Sequence, residues 1–160
     1  MLVSLGLCFA VLAGAPVTEL QDQFEKPQRI AAVIGPAPVV IVAGDERATG
    51  EGIRDWSVAL GPQLGRCRLL GLANVDGIPF FVPHSSVRSN LKELLPRVPV
   101  LLDWDNDVYG KLGFTKGIEL KLFARGGRLV GTVAGLPGAG TTAQAKELLR
   151  PVCTSTKADS

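Results

Sequence analysis

Val39-Val40-Ile41-Val42-Ala43-Gly44 is the stretch of sequence that decides the fold of this chain. Its apolar residues are mostly β-branched and are closed by a glycine, which is typical of a strand buried on both faces of a parallel sheet. From residue 51 to residue 64, apolar side chains recur every three or four positions, which predicts an amphipathic helix. A second apolar run at residues 69–75 follows, so the three segments predict a β-α-β unit. The apolar side chains of the helix are Ile53, Trp56, Leu60 and Leu64.

The rest of the chain continues this alternation. Serines at 85 and 86 can cap a helix that runs to about residue 95, and Pro96 and Pro99 bracket its exit. A glycine pair at 126 and 127 separates two apolar segments and predicts a hairpin. The order becomes βαβαβαββα, a single α/β domain. The remaining predicted elements are strands at 100–103, 119–124 and 128–134, and helices at 107–112 and 141–150.

Composition and the N-terminal sequence limit the partners and the cellular compartment that we expect for this protein. The chain has 160 residues, a net charge of +2 and 6% aromatic residues without a basic block, so a nucleic-acid surface is not expected. Residues 1–15 are apolar and end in Ala13-Gly14-Ala15, which resembles a secretory signal peptide. We therefore expect an exported, periplasmic domain at 16–160, with a short polar tail from about 154 and no membrane span in the mature chain.

Three segments carry a resemblance to a known family. Residues 100–113, from Val100-Leu101-Leu102-Asp103 to Tyr109-Gly110-Lys111-Leu112-Gly113, are similar to a strand, acidic turn and short helix of the thioredoxin-like superfamily. The run from Leu120 to Val130 resembles the final hairpin of that superfamily. Leu72-Ala73-Asn74-Val75-Asp76, with Val87-Arg88-Ser89-Asn90, is similar to the bacterial periplasmic YtfJ-type branch. The resemblance covers about residues 20–151 and implies a three-layer α/β/α sandwich, with a mixed sheet, a C-terminal hairpin and a closing helix.

The chain departs from this family at both parts of the redox site. Redox-active relatives place a Cys-x-x-Cys thiolate at the N-terminus of the first core helix and a cis-proline opposite it. Here Gly50-Glu51-Gly52 stands in the first place and Lys116-Gly117-Ile118 in the second. No catalytic residue can be transferred from the family, and the fold alone does not supply a function.

Cys67 and Cys153 are the cysteines that remain once cleavage of the predicted signal peptide has removed Cys8. The resemblance places both at the foot of the sheet, which makes a structural disulfide the favoured interpretation in an oxidising compartment. Two free buried thiols and an exchangeable catalytic pair are the alternatives.

Other sequence patterns give weaker evidence of function. The run from Asp103 to Asp107 begins like a calcium loop but lacks the required glycine and glutamate, and Gly135 to Thr142 lacks the lysine of a phosphate loop. The sole histidine, His84, has no metal ligands at suitable spacing. We expect no metal and no cofactor. A ligand surface, if present, is expected at the carboxyl ends of the parallel strands. Its candidate residues are Asp45, Glu46, Arg47, His84 and Arg88.

Three hypotheses follow. The favoured one is an exported, non-catalytic thioredoxin-like domain that binds an unknown protein or small ligand. The alternative is a thiol–disulfide oxidoreductase or peroxiredoxin-like protein that uses Cys67 and Cys153. The third is a cytosolic domain of the same fold, whose N-terminal apolar run packs as a helix.

Overall fold

The computed structural model describes residues 18–154, and the predicted signal peptide at 1–15 lies outside them. Seven strands and four helices follow one another along the described chain. They are β1 (Glu19–Asp22), β2 (Pro27–Arg29), α1 (Ile30–Val33), β3 (Val39–Gly44), α2 (Thr49–Leu60), β4 (Arg68–Asn74), α3 (His84–Leu94), β5 (Val100–Asp103), β6 (Glu119–Phe123), β7 (Leu129–Ala134) and α4 (Ala139–Cys153).

All seven strands form one mixed sheet in the order β2-β1-β5-β4-β3-β6-β7. The β3, β4 and β5 strands are parallel, as the β-α-β pattern predicts. On one side β6 and β7 add as an antiparallel hairpin, and on the other β1 runs antiparallel to β5 and pairs with β2. The predicted α/β sandwich with a C-terminal hairpin and closing helix is confirmed.

Burial on both faces of β3 divides the interior into two cores. Val40 and Val42 pack with α2, α3 and α4, whereas Val39, Ile41 and Ala43 pack on the opposite face. This alternation follows from the two-residue period of a strand. In α2 the apolar positions Ile53, Trp56 and Leu60 are all fully buried. The helix ends at Leu60 rather than at residue 64, because Pro62 has no backbone N–H to donate and a 3₁₀ turn at Gly61–Gln63 follows.

The opposite face is covered by α1 and by the irregular segment between β5 and β6. Val108, Tyr109 and Phe114 of that segment are buried against the sheet. The predicted helix at 107–112 is wrong, because this stretch consists of turns. The carboxylate of Asp103, which is fully buried, instead accepts the backbone N–H groups of residues 107, 108 and 109 and organises those turns.

The hairpin of β1 and β2 is fixed by one buried side chain between its strands. Gln23 is fully buried, and its amide nitrogen donates to the carbonyl oxygens of Leu95 and Val98 at 3.0 and 2.8 Å. Its amide oxygen accepts the N–H of Val100 at 2.8 Å. This polar segment is thus an integral part of the sheet, because each polar atom of the Gln23 side chain has a partner.

Candidate functional site

The two cysteines of the described chain form a disulfide at the edge of the sheet where the parallel strands begin. Cys67 directly precedes β4, and Cys153 is the last residue of α4. Their Cα atoms are 5.1 Å apart and their sulfurs are bonded. The side chains are 6% and 2% exposed, respectively. The predicted pairing of Cys67 with Cys153 is confirmed, and it joins the closing helix to the centre of the sheet.

The segment before Cys67 wraps around the end of α4. The backbone N–H of Arg66 donates to the carbonyl of Cys153 at 3.1 Å, and its Nε donates to the carbonyl of Val152 at 2.7 Å. Gly65 has a φ of +52°, and a Cβ at this position would clash with the carbonyl oxygen of Cys153. Only glycine combines this left-handed conformation with so close an approach of two backbones. We call Gly65, Arg66 and Cys67 the clasp.

Pro151 lies inside the last turn of α4, two residues before Cys153. A proline has no backbone N–H, so the carbonyl of Glu147 lacks the i+4 donor that a regular helix would supply. The C-terminal end of a helix also carries a partial negative charge. Cys153 therefore stands at an electronegative helix end that has fewer backbone hydrogen bonds than a regular turn.

The opposite edge of the sheet holds a cleft of about 790 Å³. It lies at the carboxyl ends of β3 and β4, between the N-terminus of α2 and one face of α3. Because β4 spans seven residues, this edge lies about 20 Å from the disulfide. Its charged residues are Asp45, Glu46, Arg47, Glu51 and Glu93.

Only part of the predicted ligand surface lies in this cleft. Asp45, Glu46 and Arg47 line it, whereas His84 and Arg88 are absent from its lining. The His84 ring stacks on Trp104 with centroids 3.5 Å apart, and the Arg88 guanidinium lies 6.0 Å from the same indole. His84 and Arg88 are four residues apart and share one face of α3. The face that lines the cleft carries Val87, Asn90, Leu91 and Leu94 instead.

Glu51 and Glu93 belong to the cleft but were not predicted as site residues. Glu51 lies in the first turn of α2, where an acidic residue is explained by the helix dipole alone. Glu93 lies between the apolar positions Leu91 and Leu94 of α3 and, in the sequence, is typical of a solvated position of an amphipathic helix. The parallel arrangement of β3 and β4 could have predicted that Glu51 and Glu93 lie in one site, because it brings the start of α2 close to α3.

Tyr109 lies on the face of the sheet that α1 covers, in the vicinity of the acidic residues Asp45 and Glu46 of the cleft. Burial raises the pKa of its phenol well above the ordinary value, and the carboxylates of Asp45, Glu119 and Glu46 raise it further. The hydroxyl donates to the carbonyl of Thr115. Tyr109 therefore remains a neutral hydrogen-bond donor at physiological pH and is not an activated nucleophile.

Within residues 18–154, the N-terminal turn of α2, where the resemblance in sequence would place a redox-active thiolate, contains no cysteine. Gly50, Glu51 and Gly52 occupy the first turn of α2. Every peptide bond of residues 18–154 is trans, including those of the loop at 116–118. No helix in this same range is long and apolar enough to cross a membrane.

Comparison with known proteins supports the fold. No protein-family profile and no curated protein sequence matches the chain. Among solved structures, a secreted disulfide oxidoreductase of Mycobacterium tuberculosis is similar with a TM-score of 0.61 at 10% identity, over 84% of this chain and 95% of that one. The exposed lipoprotein thioredoxin Etrx1 of Streptococcus pneumoniae gives 0.58 at 17% identity, over 82% and 98%. The peroxidoxin BcpB of M. tuberculosis gives 0.56 at 14% identity, over 84% and 92%.

These neighbours and the bonded cysteines change the functional interpretation. The favoured prediction, a non-catalytic binding domain, is wrong. Solved structures that share the fold include a disulfide oxidoreductase, a thioredoxin and a peroxidoxin, and Cys67 and Cys153 of this chain form a disulfide. The fold of this chain is thioredoxin-like.

Proposed function

We propose that this chain is a thiol–disulfide oxidoreductase whose redox-active pair is Cys67 and Cys153. The observation that carries the proposal is the disulfide between them, at a helix end interrupted by Pro151. The pair lies at the opposite edge of the sheet from the position used by redox-active relatives. The chemistry must therefore be argued from the surroundings of these two sulfurs.

The two sulfurs differ in how a local opening of the chain would expose them. Cys67 directly precedes β4 and is fixed to the centre of the sheet. Cys153 is the last residue of α4, whose final turn lacks the N–H that Pro151 cannot supply. Opening of that turn therefore exposes Cys153 rather than Cys67. An incoming substrate thiolate attacks Sγ of Cys153 and releases Cys67 as a thiolate.

Exchange is complete after a second step. The first attack forms one sulfur–sulfur bond, between substrate and Cys153, and breaks the bond between Cys153 and Cys67. The second thiol of the substrate, as a thiolate, then attacks the substrate sulfur of this mixed disulfide and releases Cys153. Two electrons and two protons pass from the substrate dithiol to the cysteine pair, which becomes a dithiol while the substrate becomes a disulfide. The reverse sequence reduces a substrate disulfide, and the relative potentials set the direction.

Access to Cys153 requires a local opening, because both sulfurs are buried. The missing N–H of Pro151 lowers the cost of opening the last turn of α4. Opening also breaks the two hydrogen bonds that Arg66 makes to residues 152 and 153. The clasp therefore sets how often the disulfide becomes exposed to a substrate.

Export is part of this proposal. We propose that residues 1–15 are a signal peptide, that 16–160 form the mature periplasmic domain, and that the chain belongs to the YtfJ-type branch. An oxidising compartment preserves disulfides such as that between Cys67 and Cys153. Two of the structural neighbours, a secreted disulfide oxidoreductase and an exposed lipoprotein thioredoxin, support the same location.

A single-turnover transfer tests the function. Oxidised protein is mixed with a reduced peptide that contains two cysteines, quenched with a maleimide, and weighed by mass spectrometry. We expect one peptide disulfide to form for each protein disulfide that is lost. A peptide that stays reduced beside an intact Cys67–Cys153 bond would refute the proposal.

The order of attack has its own matched pair of variants. Cys67→Ala keeps Cys153, and Cys153→Ala keeps Cys67. With an oxidised peptide, we expect the first variant to accumulate a mixed disulfide that no second protein thiol resolves. Faster accumulation on Cys153→Ala would reverse the assigned roles of the two sulfurs.

A further inference from the structure

The cleft at the far edge from the disulfide has an apolar floor. Its apolar lining comes from the loop after β4 and from one face of α3. A cleft of about 790 Å³ lies within the size range of ligand-binding sites, which are lined mostly by apolar side chains with a few polar groups. The apolar lining includes Val75, Ile78, Val82, Val87, Leu91 and Leu94.

All but one of the charged residues that line the cleft are acidic. Carboxylates of Asp45, Glu46, Glu51 and Glu93 face one guanidinium, that of Arg47. They come from the β3–α2 loop, from α2 and from α3, so they stand on both walls. None of the ion pairs within residues 18–154 involves them. The chain as a whole carries +2, so negative charge is concentrated at the cleft.

An exposed aromatic pair extends the apolar surface beyond the cleft. Phe80 is 99% exposed and Phe81 is 72% exposed, with ring centroids 5.8 Å apart in an edge-to-face arrangement. Both lie in the loop whose neighbours Pro79 and Val82 line the cleft. Exposed apolar patches of this kind mark protein-interaction sites or binding grooves, and a few large side chains usually provide most of the binding energy of a protein interface.

We infer that this cleft docks an extended basic segment of a partner protein, with the partner's Lys or Arg side chains against the four carboxylates and an apolar side chain on the floor. The Phe80–Phe81 pair contacts the residues of the partner that leave the cleft. The stretches of sequence outside the described residues do not have this chemistry. Residues 1–17 contain no Lys or Arg, and residues 155–160 contain one Lys and one Asp.

Fluorescence anisotropy with defined peptides tests the inference. The probe is a labelled eight-residue peptide of alternating lysine and leucine, and its matched control replaces each lysine by glutamate. We expect saturable binding of the basic peptide alone, weakened about tenfold between 20 and 300 mM salt as exposed charges become screened. The protein stays oxidised and no thiol reagent is present. A failure here therefore leaves the exchange reaction at Cys67 and Cys153 unaffected.

Charge-matched variants locate the binding. Glu51→Gln with Glu93→Gln removes two carboxylates from opposite walls, and we expect binding to weaken about fivefold. Glu25→Gln with Glu147→Gln changes the net charge equally at exposed positions outside the cleft and should leave the affinity unchanged. Equal binding of the acidic peptide, equal loss in both double variants, or no binding of the basic peptide up to about 1 mM would overturn the inference.

Discussion

Reduction of the Cys67–Cys153 disulfide should lower the free energy of unfolding by about 4.5 kcal/mol. The two cysteines are 86 positions apart, and the loop-closure entropy that the cross-link removes from the unfolded chain gives this value at 25 °C. A domain of this size is stable by about 5–15 kcal/mol, so the reduced protein should remain folded but closer to its threshold. A folded reduced state is a requirement of the proposed redox cycle.

Urea unfolding of the oxidised and reduced proteins, followed by Trp fluorescence, measures this difference. With a slope of about 2 kcal/mol per molar urea, the midpoint should fall by about 2 M on reduction. Cys67→Ala with Cys153→Ala provides a reductant-free check, and alanine avoids placing a hydroxyl in the two buried positions. A loss below about 1 kcal/mol in both experiments would refute the loop-entropy reasoning.

The difference in unfolding free energy between the oxidised and reduced proteins also determines how far folding shifts the redox potential of the disulfide. By the thermodynamic cycle, a disulfide that stabilises the folded state by about 4.5 kcal/mol has a potential about 100 mV more negative in the folded chain than in the unfolded one. The unfolding experiment and a redox titration must therefore agree.

Two further predictions concern the clasp and the buried phenol. Gly65→Ala should destabilise the protein by more than about 2 kcal/mol, because the added Cβ clashes with the carbonyl of Cys153 as well as disfavouring a positive φ. Gly126→Ala, with a φ of +88° and open space around it, should lose only about 1 kcal/mol in the same urea assay. Tyr109, the only tyrosine, should titrate far above pH 10 in the folded protein when its phenolate absorbance is followed. Its raised pKa means that the unfolded chain loses this proton first, so stability should fall as pH rises above about 10, and a normal titration would contradict the burial argument.

The sequence predicted the central architecture because its periodicities are strong there. The run from Val39 to Gly44 and the apolar spacing of α2 are local signals, and the structure confirms both. The β1–β2 hairpin was missed because its key residue, Gln23, is polar and buried. Its three partners lie 72 to 77 positions away, so no local pattern reveals that these polar atoms are satisfied.

Capping residues were also predicted imperfectly. A helix was predicted at 107–112, but Asp103 accepts the backbone N–H groups of residues 107, 108 and 109 from inside the strand and organises turns there instead. The start of α3 was assigned to a serine cap, yet the helix begins at His84 after Pro83 without a side-chain cap. Several residues offered similar local chemistry at each place, and only tertiary packing chose among them.

The candidate sites, too, could be predicted only in part from the sequence. The family resemblance implied that Cys67 and Cys153 lie at one edge of the sheet, and their bond is confirmed. The resemblance to a family without its redox motif led to the wrong functional preference, because the missing motif says nothing about a second cysteine pair. The cleft was placed at the correct edge, but the faces of α3 were not separated, so His84 and Arg88 were grouped with residues that they do not join.

The reduction potential of the Cys67–Cys153 pair is the most direct test of the account. Purified protein is equilibrated across a glutathione redox series, alkylated, and weighed to count free thiols. We predict one two-electron transition between about −270 and −120 mV, the range of thioredoxin-like oxidoreductases. A single disulfide that stays oxidised to below about −300 mV would show a structural cross-link and would contradict the proposed thiol–disulfide function.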